Sequence, residues 1–78
     1  MAERKLIVGK LYRHLKGNVY RVTGIATDSE TLDKLVIYQD NGGEYKLWAR
    51  PYSSFISEVD KEKYPDATQL YRFEEVKK

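Results

Sequence analysis

The sequence predicts one small all-β domain, mainly antiparallel, with one short helical turn. Three observations predict it. Runs rich in aromatic and β-branched residues recur at 11–15, 19–26, 35–39 and 44–50. Turn formers separate them, above all Lys16-Gly17-Asn18 and Asp40-Asn41-Gly42-Gly43. No stretch carries the 3.6-residue apolar period of a long amphipathic helix.

Residues 1–8 read as a polar lead-in, with Leu6-Ile7-Val8 either an edge strand or part of that lead-in. The domain proper is expected over 9–73, followed by a tail over 74–78. In the first run Tyr12 and His14 share one face, and Leu11, Arg13 and Leu15 the other. Gly17 and Asn18 tolerate positive φ and turn the chain into residues 19–26, which completes a hairpin. Gly24 within that second run predicts a bulge or bend. The polar residues 27–31 turn the chain again. The third run, 35–39, is nearly all apolar, so it is expected to be central and covered on both faces. In the fourth, Tyr45, Leu47 and Ala49 face one way and Lys46, Trp48 and Arg50 the other. Pro51 lacks the ladder N–H and is expected to end this strand. Residues 52–55 fit one helical turn, 56–59 a short strand, and 60–66 a charged loop. Residues 69–73 are expected to return as a closing strand. Such an order suits a small bent sheet or a partly open SH3-like barrel; an OB-like barrel usually carries a longer helix.

Composition narrows the function classes. With 78 residues the core must come from few side chains, and seven Tyr, two Phe and one Trp supply much of it. Stability on the order of 5 kcal/mol is expected. The absence of cysteine excludes disulfides, thiolate chemistry and sulfur-ligated zinc, and it points to the cytoplasm. One histidine cannot build a His-rich centre, so neither a metal nor a cofactor is expected. No apolar stretch has the length of a signal peptide or a membrane span. Fourteen basic against twelve acidic residues give a net charge of +2, too small for a strong non-specific grip on nucleic acid. Gly42-Gly43 is a turn, since no Gly-Lys-Ser/Thr follows it as in a P-loop.

Several motifs occur together and in order: the run Tyr12-Arg13-His14-Leu15-Lys16-Gly17-Asn18-Val19-Tyr20, then Gly24-Ile25-Ala26, Ser29-Glu30-Thr31, Val36-Ile37-Tyr38 and Leu47-Trp48-Ala49-Arg50-Pro51, with Phe55 and Phe73 after them. From about Gly9 to Phe73 the chain resembles the small bacterial family named domain of unknown function 1653 (DUF1653). The resemblance implies a compact, mainly β domain in bacteria. It implies no activity, and residues 60–68 look longer and more charged than that family's pattern.

Candidate site residues are therefore weighed one by one. His14 titrates near neutrality and could act as a general base with Glu30. The plainer expectation is that it hydrogen-bonds a loop carboxylate or carbonyl and fixes the hairpin. Ser29-Glu30-Thr31 suits turn capping, with Glu30 pairing Arg13 or Arg50. Trp48 and Arg50 can together stack a base, grip a phosphate or receive a peptide side chain. Alternatively Trp48 plugs the core with Arg50 paired to an acid, and small size favours that arrangement. Tyr12, Tyr20, Tyr38 and Tyr52 cannot all be buried without hydroxyl partners, so some are expected to line a groove. Arg13, Lys16 and Arg21 form either a small phosphate-facing patch or a solvated, salt-bridged edge.

The leading expectation is a non-enzymatic binding module. It presents Tyr12, Arg13, His14, Tyr38, Trp48 and Arg50 to a peptide, a nucleic acid strand or a small anion, as a monomer or weak homodimer. A small enzyme or enzyme accessory using His14 with Glu30, and a structural protein-interaction domain, are the alternatives.

Overall fold

A computed structural model describes residues 6–76. The chain forms β1 (Leu11–His14), β2 (Val19–Thr27), β3 (Lys34–Asp40), β4 (Leu47–Pro51), α1 (Tyr52–Phe55) and β5 (Phe73–Glu75). These strands make one antiparallel sheet in the order β4-β3-β2-β1-β5. The first four are a meander, and β5 returns beside β1. The sheet is not closed, yet it bends until its two edges meet: the Arg50 guanidinium of β4 lies 5.3 Å from the ring centroid of Phe73 in β5.

Local chemistry explains the bends. Gly17 adopts φ 104°, and the His14 N–H donates to the Asn18 carbonyl to close the first hairpin. The β2–β3 register shifts between Val22 and Gly24, a bulge where the glycine predicts one. The β2–β3 turn is built on Asp28, whose Oδ1 accepts the N–H groups of Glu30 and Thr31 at 2.9 and 3.2 Å.

The core lies on one face of the sheet, under α1. Tyr12, Val22, Val36, Tyr38, Phe55 and Phe73 are buried together, with Leu6, Tyr20, Tyr52 and Ile56 packed against them. Phe55 stacks on Phe73 at 4.0 Å and 8°, while Tyr12 and Tyr38 meet Phe55 edge-on at 5.5 and 5.3 Å. Each buried phenylalanine contributes about 1.5–3 kcal/mol by leaving water, so two of them carry much of so small a core.

Four local expectations are corrected. Residues 44–46 belong to the β3–β4 turn, because Tyr45 sits at φ 54° after Gly42 and Gly43, both also at positive φ. Pro51 ends β4 as expected, and it fits there because β4 is an edge strand and needs no donor at that position. Residues 56–59 make only an isolated bridge, Glu58 to Tyr71, and the returning strand begins at Phe73 and runs to Glu75. β3 is covered on one face only: Val36 and Tyr38 are buried, whereas Leu35, Ile37 and Gln39 are half-exposed. The segment 6–8 is not a strand; Leu6 simply packs on the core. The lead-in residues 1–5 and tail residues 77 and 78 lie outside the described residues.

Candidate functional site

Strand pairing decides which expected residues meet. Paired residues of an antiparallel ladder share a face. Tyr12 pairs with Tyr20, His14 with Phe73, Tyr38 with Trp48, and Val36 with Arg50. The ladder therefore brings His14, Tyr20, Tyr38, Trp48 and Arg50 to the face that α1 partly covers. Arg13 stands on the opposite face, exposed and paired with Glu74. Tyr12 is 2% exposed and belongs to the core, its hydroxyl accepting the Ile7 N–H at 3.0 Å. Five of the six residues expected at the site share this face, Tyr12 and Tyr38 as buried members of the core, and Arg13 stands on the other.

Trp48 is not the core plug. It is 43% exposed, its Nε1–H donates to Asp40 Oδ1 at 2.8 Å, and the Lys46 ammonium lies 5.5 Å from its ring. The core role falls instead to Phe55, which α1 delivers from the far side of Pro51. Arg50 is half-buried and has no acid partner of the kind expected. Its Nε donates to the Tyr38 hydroxyl at 3.3 Å and its guanidinium to Ser54 Oγ at 3.2 Å. The Tyr38 hydroxyl thus has its partner even though the ring is buried.

His14 sits at the centre of this region. Its ring meets Phe73 edge-on at 4.8 Å, and its Nδ1 accepts the Lys16 N–H at 3.2 Å. An acceptor Nδ1 means a neutral ring with the proton on Nε2. Burial first, then the positive charges of Arg50, Arg72 and Lys16, push its pKa below 6.5. The charges that act on it are all positive. The sequence reading missed Arg72, which has no mark in the chain beyond its place beside Phe73. Its Nε donates to Ser57 Oγ at 3.3 Å. Among the described residues, neither Arg50 nor Arg72 has a carboxylate partner; their hydrogen bonds go to hydroxyls.

The geometry does not bring His14 and Glu30 together. His14 lies beside the start of β2, and Glu30 follows the end of β2 in an exposed turn. Eight residues of strand separate those two ends, roughly 25 Å at the usual rise. The same separation keeps Glu30 from Arg13; Arg50 lies nearer that end of β2, but its side-chain hydrogen bonds go to Tyr38 and Ser54. An open groove of about 430 Å³ lies further along the face, lined by Asn18, Tyr20, Asp40, Glu44 and Lys46 among others. Its two carboxylates make it a poor home for an anion, in contrast to the His14–Arg50–Arg72 cluster. Among the described residues, no group of three His, Cys, Asp or Glu could hold a metal ion. Among the same residues, no helix is long and apolar enough to cross a membrane.

Comparison with known families places this architecture. The sequence pattern described as "Protein of unknown function (DUF1653)" matches residues 10–75, from just before β1 to the end of β5. The chain belongs to the DUF1653 family. The matched span contains every strand of the DUF1653 sheet and each residue of the His14–Arg50–Arg72 cluster. No curated protein and no solved structure matches this DUF1653 domain.

Proposed function

We propose that the domain is a binding module whose α1-flanked face takes a compact anionic group, a phosphate or a carboxylate. One observation carries this reading: Arg50 and Arg72 are half-buried beside His14, and among the described residues their guanidinium groups hydrogen-bond hydroxyls alone. Guanidinium groups held in place but not neutralised retain N–H donors for a ligand's oxygens, and partial burial strengthens such charge-assisted bonds. Ser54 and Ser57 fix the two side chains from α1 and the segment after it. Trp48, two positions from Arg50 on the same face, supplies an exposed ring for the rest of the ligand.

The test is a heteronuclear NMR titration with inorganic phosphate, acetate, a mononucleotide, a single-stranded oligonucleotide and an acidic peptide. Shifts centred on His14, Arg50 and Arg72 are expected with at least one of them, and the effective arm names the ligand class. Arg50→Gln is expected to weaken that binding about tenfold, the cost of one charge-assisted hydrogen bond. Absence of shifts in all arms, or undiminished binding by a folded Arg50→Gln, Arg72→Gln variant, overturns the assignment.

A further inference from the structure

The β4 edge adjoins the cation cluster and shares Arg50 with it. β4 pairs with β3 alone, so its outer side is free. The pairing shows which backbone groups point outward. Asp40 N–H donates to the Lys46 carbonyl at 3.0 Å, which makes Asp40–Lys46 a hydrogen-bonded pair. By the alternation of an antiparallel ladder, Trp48 and Arg50 also direct their backbone groups at β3. Leu47 and Ala49 direct their N–H and C=O groups away from the sheet, whereas the C=O of Pro51, the N-cap residue of α1, is taken by the first turn of that helix. Among the described residues nothing receives the outward groups of Leu47 and Ala49.

Protein edges are commonly blunted by inward charges, bulges or covering loops. β4 has two such protections towards its end, the half-buried charge of Arg50 and Pro51, but residues 47–49 carry neither a charge nor a bulge. Leu47 is 60% exposed on one face and Trp48 43% on the other, while Ala49 after them offers no bulk to block an approaching chain. The indole of Trp48 is already held by Asp40 and Lys46, so little side-chain freedom is lost on contact.

Charge selects the occupant. Lys46 and Arg50 bracket Trp48 on the same face. A second copy of the chain pairing antiparallel about Trp48 would set Lys46 opposite Arg50 twice, and directly opposed like charges are destabilising. Pairing about Ala49 would set Pro51 opposite Leu47, leaving the Leu47 carbonyl without a donor. An extended segment with acidic residues four apart meets both cations and both outward donors. We propose that the free edge of β4 captures such an acidic, extended peptide as a sixth antiparallel strand, in the manner of β-strand addition.

The probe is a synthetic peptide alternating Glu with Val, set against the same peptide with Lys in place of Glu. Only the acidic peptide is expected to bind. Binding should slow hydrogen exchange at the amides of Leu47 and Ala49 while leaving those of Trp48 and Arg50, already bonded to β3, unchanged. Ala49→Pro deletes an outward N–H without removing a β3–β4 bond and should weaken binding about fivefold; Leu47→Lys should do so without altering any backbone group. Both variants should keep the wild-type response to inorganic phosphate, which distinguishes strand capture at the edge from anion binding by Arg50 and Arg72. Equal binding of the basic peptide, no added protection at Leu47 and Ala49, or undiminished binding by the two variants would overturn the proposal. Protection that rises with protein concentration without peptide would overturn it too, and would assign the edge to a second copy.

Discussion

His14 and Phe73 face each other across β1 and β5, their ring centroids 4.8 Å apart. That contact joins the core to the cation cluster, since Phe73 also stacks on Phe55 and lies beneath Arg50. The histidine is thereby half-buried among positive charges, and its protonation becomes costly. NMR titration of the His14 ring is expected to give a pKa below 6.5, displaced upward in Arg50→Gln and in Arg72→Gln. An anion at the cluster should raise it as well, because binding then favours the imidazolium. An unchanged pKa in both variants would mean that the guanidinium groups do not act on the ring.

The same depression has a consequence for stability, with a definite sign. Below 6.5 the unfolded chain takes up the histidine proton before the folded chain does. Stability therefore falls as pH drops through 6.5 towards the folded pKa. Protonation also turns Nδ1 into a donor and abolishes the bond from the Lys16 N–H. Urea unfolding at several pH values between about 5 and 7.5 should show a smaller pH dependence in His14→Gln than in the wild type. Equal slopes would place the acid sensitivity elsewhere.

Phe55 is the sole buried residue that α1 contributes to the core. Phe55→Ala is expected to cost about 3–5 kcal/mol, comparable with the whole stability of a domain this size. Far-UV circular dichroism should show a chain largely unfolded at room temperature. A cooperative melt close to that of the wild type would show that the sheet holds without α1.

Tyr38→Phe removes the hydroxyl that receives Arg50 Nε and leaves the buried ring in place. A loss of about 0.5–1.5 kcal/mol in stability is expected. Anion binding at the cluster should weaken as well, because Arg50 then keeps only Ser54 to orient it. Calorimetry on the folded variant measures the second effect; affinity equal to wild type would show that the hydroxyl does not position Arg50.

Leu32 occupies the left-handed region at φ 66° and is 75% exposed, so strain there has no packing in return. Leu32→Asn should relieve about 0.5–1 kcal/mol of it and raise Tm by several degrees. A fall in Tm would show that the leucine side chain stabilises the turn.

Most of the fold was legible because its signals are local. The Gly17 turn, the bulge at Gly24 and the helical turn at 52–55 each follow from residues within a few positions of one another. The errors came where a neighbouring strand decided the matter. The apolar run of β3 reads as doubly covered, yet the only helix among the described residues is four residues long and shields one face. Trp48 reads as the natural plug of a small core, but the bend of the sheet centres the core on Phe55 and Phe73, leaving Trp48 near the rim.

The sequence alone determined the class of fold, the hairpin turns, and the aromatic stock from which a small core must be built, because periodicity and turn chemistry act over a few residues. It also carried the family resemblance. Only the tertiary structure decided which cations meet. Arg50 and Arg72 are distant in the chain and sit on opposite edges of the sheet. They share a neighbourhood with His14 because the sheet bends and α1 ties its edges together through Ser54 and the adjoining Ser57. Such proximity depends on strand order and curvature, which no local spacing encodes.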